Sequence, residues 1–349
     1  MHPLRLFGLL SHIVTLVYSQ SLQTVLQDNG LTEFLQELRE TDPDLLDVPA
    51  GSKLIVYAPS NEAVNGSSVI VRRDDSKDEE KKKQIARNQI HFANTIAPIL
   101  RRRQSGDAGG TAAASGSVFR TLLNGSEFVN LGPGKNQSVV EKSLSGAPRP
   151  EAVFSGLGAK ANVVAADIPF DGGVIRPIDQ FLVLPRNLST SLPALGLGDF
   201  KSALERTGLL ETFDKATSLT ILAPQNSALE NSSCWWSDAK LTSALKLQVL
   251  VDFPGYTPLL KNNAKYRTLG GTSVTVVIRD NKIFVGGAEI LAADAIIKNG
   301  VLHTVDRWVS AASPPSPPPI VAAATGLSLS THHWILVVMG MAVATGFSL

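Results

Sequence analysis

The stretch Lys298-Asn299-Gly300-Val301-Leu302-His303-Thr304-Val305-Asp306 has an altered copy earlier in the chain, Asp171-Gly172-Gly173-Val174-Ile175-Arg176-Pro177-Ile178-Asp179. Both open on a glycine-bearing turn signal, where a residue without Cβ reaches positive φ at no steric cost. Both then run into β-branched and aliphatic residues: Val301, Leu302 and Val305 match Val174, Ile175 and Ile178. That run is too dense for a half-solvated strand and suits one buried in a sheet. A recurring segment of this kind marks a repeated domain.

Three further echoes lie upstream of the two copies, in the same order. Residues 53–64, Lys-Leu-Ile-Val-Tyr-Ala-Pro-Ser-Asn-Glu-Ala-Val, face residues 218–229, Ser-Leu-Thr-Ile-Leu-Ala-Pro-Gln-Asn-Ser-Ala-Leu. In each, a buried strand is expected to stop at Ala58-Pro59 or Ala223-Pro224, because proline has no N–H for the ladder. Asn61 or Asn226 is then placed to cap the helix that follows. Phe119-Arg120-Thr121-Leu122 and Tyr266-Arg267-Thr268-Leu269 each open a strand-rich region. Residues 21–40 carry the apolar stripe of one or two helices, and Val25 to Leu31 echoes Ala203 to Leu209, with Gly30 and Gly208 ending a helical turn. Four echoes in one order make a tandem duplication.

The first copy is the longer and must hold insertions. Residues 72–83, with six basic and five acidic side chains, residues 101–117, and the Gly/Pro/Ser/Lys-rich residues 132–150 read as surface loops that bury little apolar area. Arg101 to Arg103 has a second reading as a basic docking patch or processing site.

A length of 349 residues suits about two domains, and 44% hydrophobic with 18% charged residues is ordinary for a globular chain. The net charge of +1 supplies no field for nucleic acid, which is excluded as a partner. With one cysteine, Cys234, there is no intramolecular disulfide and no cysteine zinc site.

The ends carry processing signals. Arg5 precedes an apolar run, and Val17-Tyr18-Ser19 suits a signal peptidase, so residues 1–19 read as a signal peptide cleaved between Ser19 and Gln20. Residues 312–324 form a Pro/Ser/Ala-rich spacer. Residues 325–349 follow it with a polar stretch and an apolar tail, the layout of a glycosylphosphatidylinositol (GPI) attachment signal, with Ala324, Ala323 or Ala322 as the attachment residue. A transmembrane helix, the rival reading, needs about 20 apolar residues. Secretion gives meaning to five Asn-x-Ser sequons, at Asn65, Asn124, Asn136, Asn187 and Asn231.

Ala58, Pro59 and Asn61 with Asp179, and Ala223, Pro224 and Asn226 with His303 and Asp306, make the chain resemble a tandem fasciclin-domain protein of the fungal or plant GPI-anchored surface type. The resemblance covers residues 21–310. It implies an α+β fold of two tandem fasciclin-like domains, 20–186 and 187–311, each a wedge-shaped β-sandwich with helices packed to one side. It also implies a glycosylated surface protein acting in cell adhesion or wall and matrix contact. Its partners would be an extracellular protein or a cell-wall or matrix polysaccharide, with the membrane met through the lipid anchor and homotypic contact left open. The family's second block usually carries a histidine, supplied here by His303 but replaced by Arg176 in the first copy. Where the family often has a further histidine, this chain has Gln89 and Gln248.

Histidine accounting bears on chemistry. Outside the two processed ends only His91 and His303 remain, in different copies, and no His-x-x-x-His or His-Glu-x-x-His spacing occurs. No metal or cofactor is expected. Ser155 with His303 and Asp306 could be read as a triad, but Val153 stands where the nucleophile elbow needs glycine. No catalytic residue is assigned. The alternative is a secreted carbohydrate-binding or carbohydrate-active protein using loop carboxylates or Trp235 and Trp236.

Overall fold

The stretch at 300–305 lies in parallel register with the strand that ends in Ala223-Pro224, and its earlier copy lies in the same register with the strand that ends in Ala58-Pro59. The structure is a computed structural model that describes residues 20–66, 79–95, 115–143, 149–230 and 236–311. The first half runs α1 (Leu22–Asp28), α2 (Thr32–Thr41), β1 (Leu54–Pro59), α3 (Asn61–Gly66), α4 (Glu79–Asn88), β2 (Ile90–Thr95), β3 (Ser117–Thr121), β4 (Ser138–Lys142), β5 (Ala152–Phe154), β6 (Lys160–Asn162), β7 (Ile168–Phe170) and β8 (Gly173–Ile178). The second runs α5 (Leu188–Ala194), α6 (Gly198–Arg206), α7 (Leu210–Lys215), β9 (Leu219–Pro224), α8 (Asn226–Glu230), α9 (Asp238–Leu247), β10 (Val249–Leu250), β11 (Lys265–Arg267), β12 (Ser273–Arg279), β13 (Lys282–Val285), β14 (Ala288–Ile297) and β15 (Gly300–Val305).

The fold is α+β, with two curled sheets and helices against each. The strand orders are β6-β5-β4-β3-β2-β1-β8-β7 and β10-β9-β15-β14-β13-β12-β11. β1 is bonded on both sides, antiparallel to β2 and parallel to β8, and β9 likewise to β10 and β15. A strand bonded on both sides and covered on both faces must be apolar throughout. All six residues of β1 and all six of β9 are indeed buried. Alternate side chains divide the cores. Leu54, Val56 and Ala58 face the helices, whereas Ile55 and Tyr57 meet Phe119, Val139 and Val153 where the sheet curls over itself. In the second half Leu219, Ile221 and Ala223 face helices, and Leu222 meets Val274, Val276 and Val285.

Gly173 and Gly300 both have φ +151, and a Cβ on either would strike the carbonyl oxygen of Leu54 or Leu219. Close approach to the parallel neighbour, more than a tight turn, is what requires glycine at these two positions.

Four expectations are corrected. Residues 79–83 are helical, because Gln84 and Ala86 give α4 a buried side behind its charges. Residues 138–142 are β4, an internal strand buried at all five positions, in place of a surface loop. Its charged residues are buried because each has an ionic partner. The helical echo is out of register: Gly30 precedes α2 as Gly196 precedes α6, so α1 corresponds to α5 and α2 to α6. The resemblance of 25–31 to 203–209 reflects a shared C-terminal motif, with Leu31 N–H donating to Leu26 O and Leu209 N–H to Leu204 O across a left-handed glycine. The fourth correction concerns Asn61 and Asn226, which do not cap the helices that they open. Asn61 Oδ1 accepts from Glu33 N at 3.1 Å, and Asn226 Oδ1 accepts from Asp199 N at 3.4 Å, each serving the second residue of the earlier helix, α2 or α6.

Candidate functional site

The residues of greatest chemical interest gather around β4, where the halves meet. Strand alternation sends Glu141 into the first half and Lys142 toward the second. Val118, Val140 and Phe154 pack with Tyr256, Leu259, Ile296 and Val301 in a shared core. Around it, Gln137 Nε2 donates to Ile297 O at 3.1 Å, Asn130 N to Lys298 O at 2.8 Å, and Ser218 Oγ to Leu131 O at 2.7 Å. The turn that opens the β15 stretch is thus held by the other half of the chain.

On the second-half side, Asp294 is fully buried. Its carboxylate lies 2.5 Å from Lys142 Nζ and accepts from Thr257 N at 2.8 Å and Thr257 Oγ1 at 2.5 Å. Burial alone would push Asp294 up, but Lys142 above all, with His303 and Thr257, holds it below the ordinary range. His303, also fully buried, donates from Nε2 to Gly255 O at 2.9 Å and accepts at Nδ1 from Asp294 N at 3.1 Å. Those two bonds require the neutral Nε2–H tautomer. Burial depresses its pKa, with the Asp294 charge acting against the shift.

Six residues before the strand glycine the two halves match: Asp167 stands to Gly173 as Asp294 stands to Gly300. Here Arg176, the counterpart of His303, binds Asp167 through Nε at 2.8 Å and Nη2 at 2.5 Å, and reaches Glu141 through Nη1. Tyr57 Oη also donates to Glu141. Burial pushes Glu141 up to about 7 against the pull of Arg176. The His91 ring lies 4.5 Å from that of Tyr57; its Nε2 donates to Asn88 O at 2.9 Å, its Nδ1 has no hydrogen-bond partner among the described residues, and burial depresses the His91 pKa to about 3. At the corresponding places the second half has Leu222, Leu250 and Val276, all in its apolar core. The cation is therefore internal to the first half, whereas the second half borrows Lys142.

The predicted residues are structural at close range. Asp179 accepts from Asn162 N at 2.7 Å, and Asp306 from Glu289 N at 2.8 Å, so the second-block aspartates fasten the end of β6 and the start of β14. Gln89 Oε1 accepts from Leu182 N and Gln248 Oε1 from Val309 N, tying the strand start to the end of each half. His303 and Asp306 have separate partners, and Ser155 Oγ is engaged by Val183 N and Ala159 O. Ser155 and His303 are not brought together. Among the described residues no group of three or more His, Cys, Asp and Glu side chains is placed to hold a metal, and no helix is long and apolar enough to cross a membrane. Asn65, Asn124 and Asn187 are exposed, while Asn136 is half-buried with Nδ2 donating to Thr121 O at 2.9 Å. Gln20 is exposed; Ser19, Asn231, Cys234, Trp235, Arg101 to Arg103 and Ala322 to Ala324 lie outside the described residues. Sequence reading missed Glu141, Lys142, Asp167 and Asp294, whose only signal was the repeated aspartate six residues before each strand glycine.

Residues 196–310 match the family model of the fasciclin domain. The match takes in β9 to β15, Asp294 and His303. Among similar proteins, the fasciclin-like arabinogalactan protein CTB11 of Cercospora beticola is 32% identical over 195 residues, 54% of this chain and 51% of that one. The fasciclin-like arabinogalactan protein elcF of Phaeosphaeria nodorum is 28% identical over 194 residues, 55% of this chain and 61% of that one. The chain thus spans about half to three-fifths of these two fasciclin-like relatives. The solved FAS1 domain pair of the insect cell adhesion molecule Fasciclin I is 16% identical, with a TM-score of 0.37, over 81% of this chain and 97% of that chain.

Proposed function

We propose that the chain is a non-catalytic, glycosylated cell-surface protein in which two fasciclin-like domains, 20–186 and 187–311, mediate adhesion or wall and matrix contact, with a signal peptide at 1–19 and a GPI anchor added near Ala322 to Ala324. The observation that carries the reading is the fasciclin domain match at 196–310, whose parallel β9/β15 pairing recurs register for register in β1/β8. The names of the fungal relatives support a surface or extracellular setting. The non-catalytic reading is supported by His303 and Ser155, whose polar atoms are committed to backbone partners. Exposed Asn65, Asn124 and Asn187 support glycosylation at those sequons. Phosphatidylinositol-specific phospholipase applied to intact cells is expected to release the protein; retention while a control anchored protein is released would contradict the anchor.

A further inference from the structure

The outer face of β11, β12 and β13 is the counterpart of the face with which the first half docks on the second. Register equates Tyr266 with Phe119 and Val274 with Val139, so Val118, Val140 and Lys142, buried at the junction, correspond to Lys265, Thr275 and Val277. In the second half this face is open. Lys265, Arg267, Arg279 and Lys282 are all exposed on it, and Val277 and Phe284 are half-buried between them. Among the described residues the Lys265 and Arg267 side chains make no hydrogen bond or ion pair. Arg279 lies over the Phe284 ring at 4.8 Å, and the neighbouring Glu289 of β14 is taken by Lys282 at 2.8 Å.

The cross-strand pairs make an ordered row: Arg267 beside Ser273, Lys265 beside Thr275, Val277 beside Phe284, and Arg279 beside Lys282. Alternate residues of a strand lie about 7 Å apart, so the row runs roughly 20 Å along β12. A linear ligand laid on it meets cations at three rungs and an aromatic ring at the other. The ladder bonds of β12 are made on both sides, so the face itself offers no backbone groups to an added peptide strand, which would have to pair at the β11 edge instead. What it does offer is guanidinium forks for carboxylates and, between them, the apolar rung of Val277 and Phe284 for the apolar side of a sugar, with Arg279 stacked on the Phe284 ring.

We propose that this face binds a linear, carboxylate-bearing polysaccharide. The proposal rests on the extracellular reading above and names the partner class. The test is binding of the full chain to polygalacturonate, a neutral β-glucan and oligoglutamate, in parallel with a Lys265→Gln, Arg267→Gln, Arg279→Gln variant and with a control variant, Lys201→Gln, Lys215→Gln, on a different surface. Thermal unfolding checks that both variants fold. Polygalacturonate should bind best, weaken with salt, and weaken about tenfold or more in the triple variant but not in the control. Equal binding of the neutral glucan, tighter binding of oligoglutamate, or an unchanged triple variant would overturn it. Phospholipase release does not depend on these side chains, so a failure here and a failure of the surface reading give different results.

Discussion

Lys142 of β4 and Asp294 of β14 form an ion pair at 2.5 Å between strands of different halves, with only 10% and 0% of their side chains exposed. Removing one partner of a buried pair strands a charge, a loss of about 3–5 kcal/mol, whereas replacing both with apolar groups is often nearly neutral. Lys142→Met and Asp294→Leu should therefore each destabilise strongly, and the double variant should lose less than the sum of the two single changes. Denaturant titration of the three variants checks this; additive losses would mean that the pair is uncoupled.

Stability between about pH 4.5 and 7 depends on three buried groups. His91 and His303 have depressed pKa values, so their contribution is present above the unfolded value of 6.5 and is lost as pH falls. Glu141 is raised to about 7 from 4.5, so its contribution is present below 4.5 and is lost as pH rises through 7. Between 4.5 and 6.5 the proton that the unfolded chain takes up on His91 is offset by the one the folded chain holds on Glu141, and uptake by the unfolded chain on His303 tips the balance, so stability should fall as pH falls. His91→Leu, which installs the residue found at the counterpart position Leu250, should flatten this limb, and Glu141→Gln should steepen it. Unfolding free energies measured across the window decide the matter.

Asn61 and Asn226 each satisfy one orphan N–H at the start of a neighbouring helix. Asn61→Ala and Asn226→Ala should each cost about 1 kcal/mol. Amide exchange should accelerate at Glu33 and Asp199 rather than within α3 and α8. Acceleration confined to α3 and α8 would restore the local capping expected from sequence.

The β1/β8 and β9/β15 scaffold was legible because its evidence is local: buried runs, a proline stop and an obligatory glycine all leave marks within a few residues. The junction was not. Ser138-Val139-Val140-Glu141-Lys142 looks polar until Arg176 and Asp294, distant in sequence, are seen to neutralise it. Asn61 was recognised as a capping residue, but sequence places a cap on the nearest helix and only the fold brings α2 within reach. The out-of-register helix echo has the same origin, since a leucine-flanked glycine C-cap recurs wherever a helix ends that way.

Sequon use should follow side-chain access. Asn65, Asn124 and Asn187 are exposed, whereas the Asn136 amide is committed to Thr121 O. Site-resolved glycopeptide mass spectrometry of the chain expressed in a eukaryotic host is expected to find glycans at the first three and none at Asn136. Full occupancy at Asn136 would mean that β4 pairs only after modification.

The surface-adhesion reading is tested most directly by attachment of cells displaying the full chain to isolated wall or matrix material, before and after phosphatidylinositol-specific phospholipase. Attachment should fall together with the protein released into the medium, and released protein added in excess should block untreated cells. Attachment unchanged after complete release would contradict it.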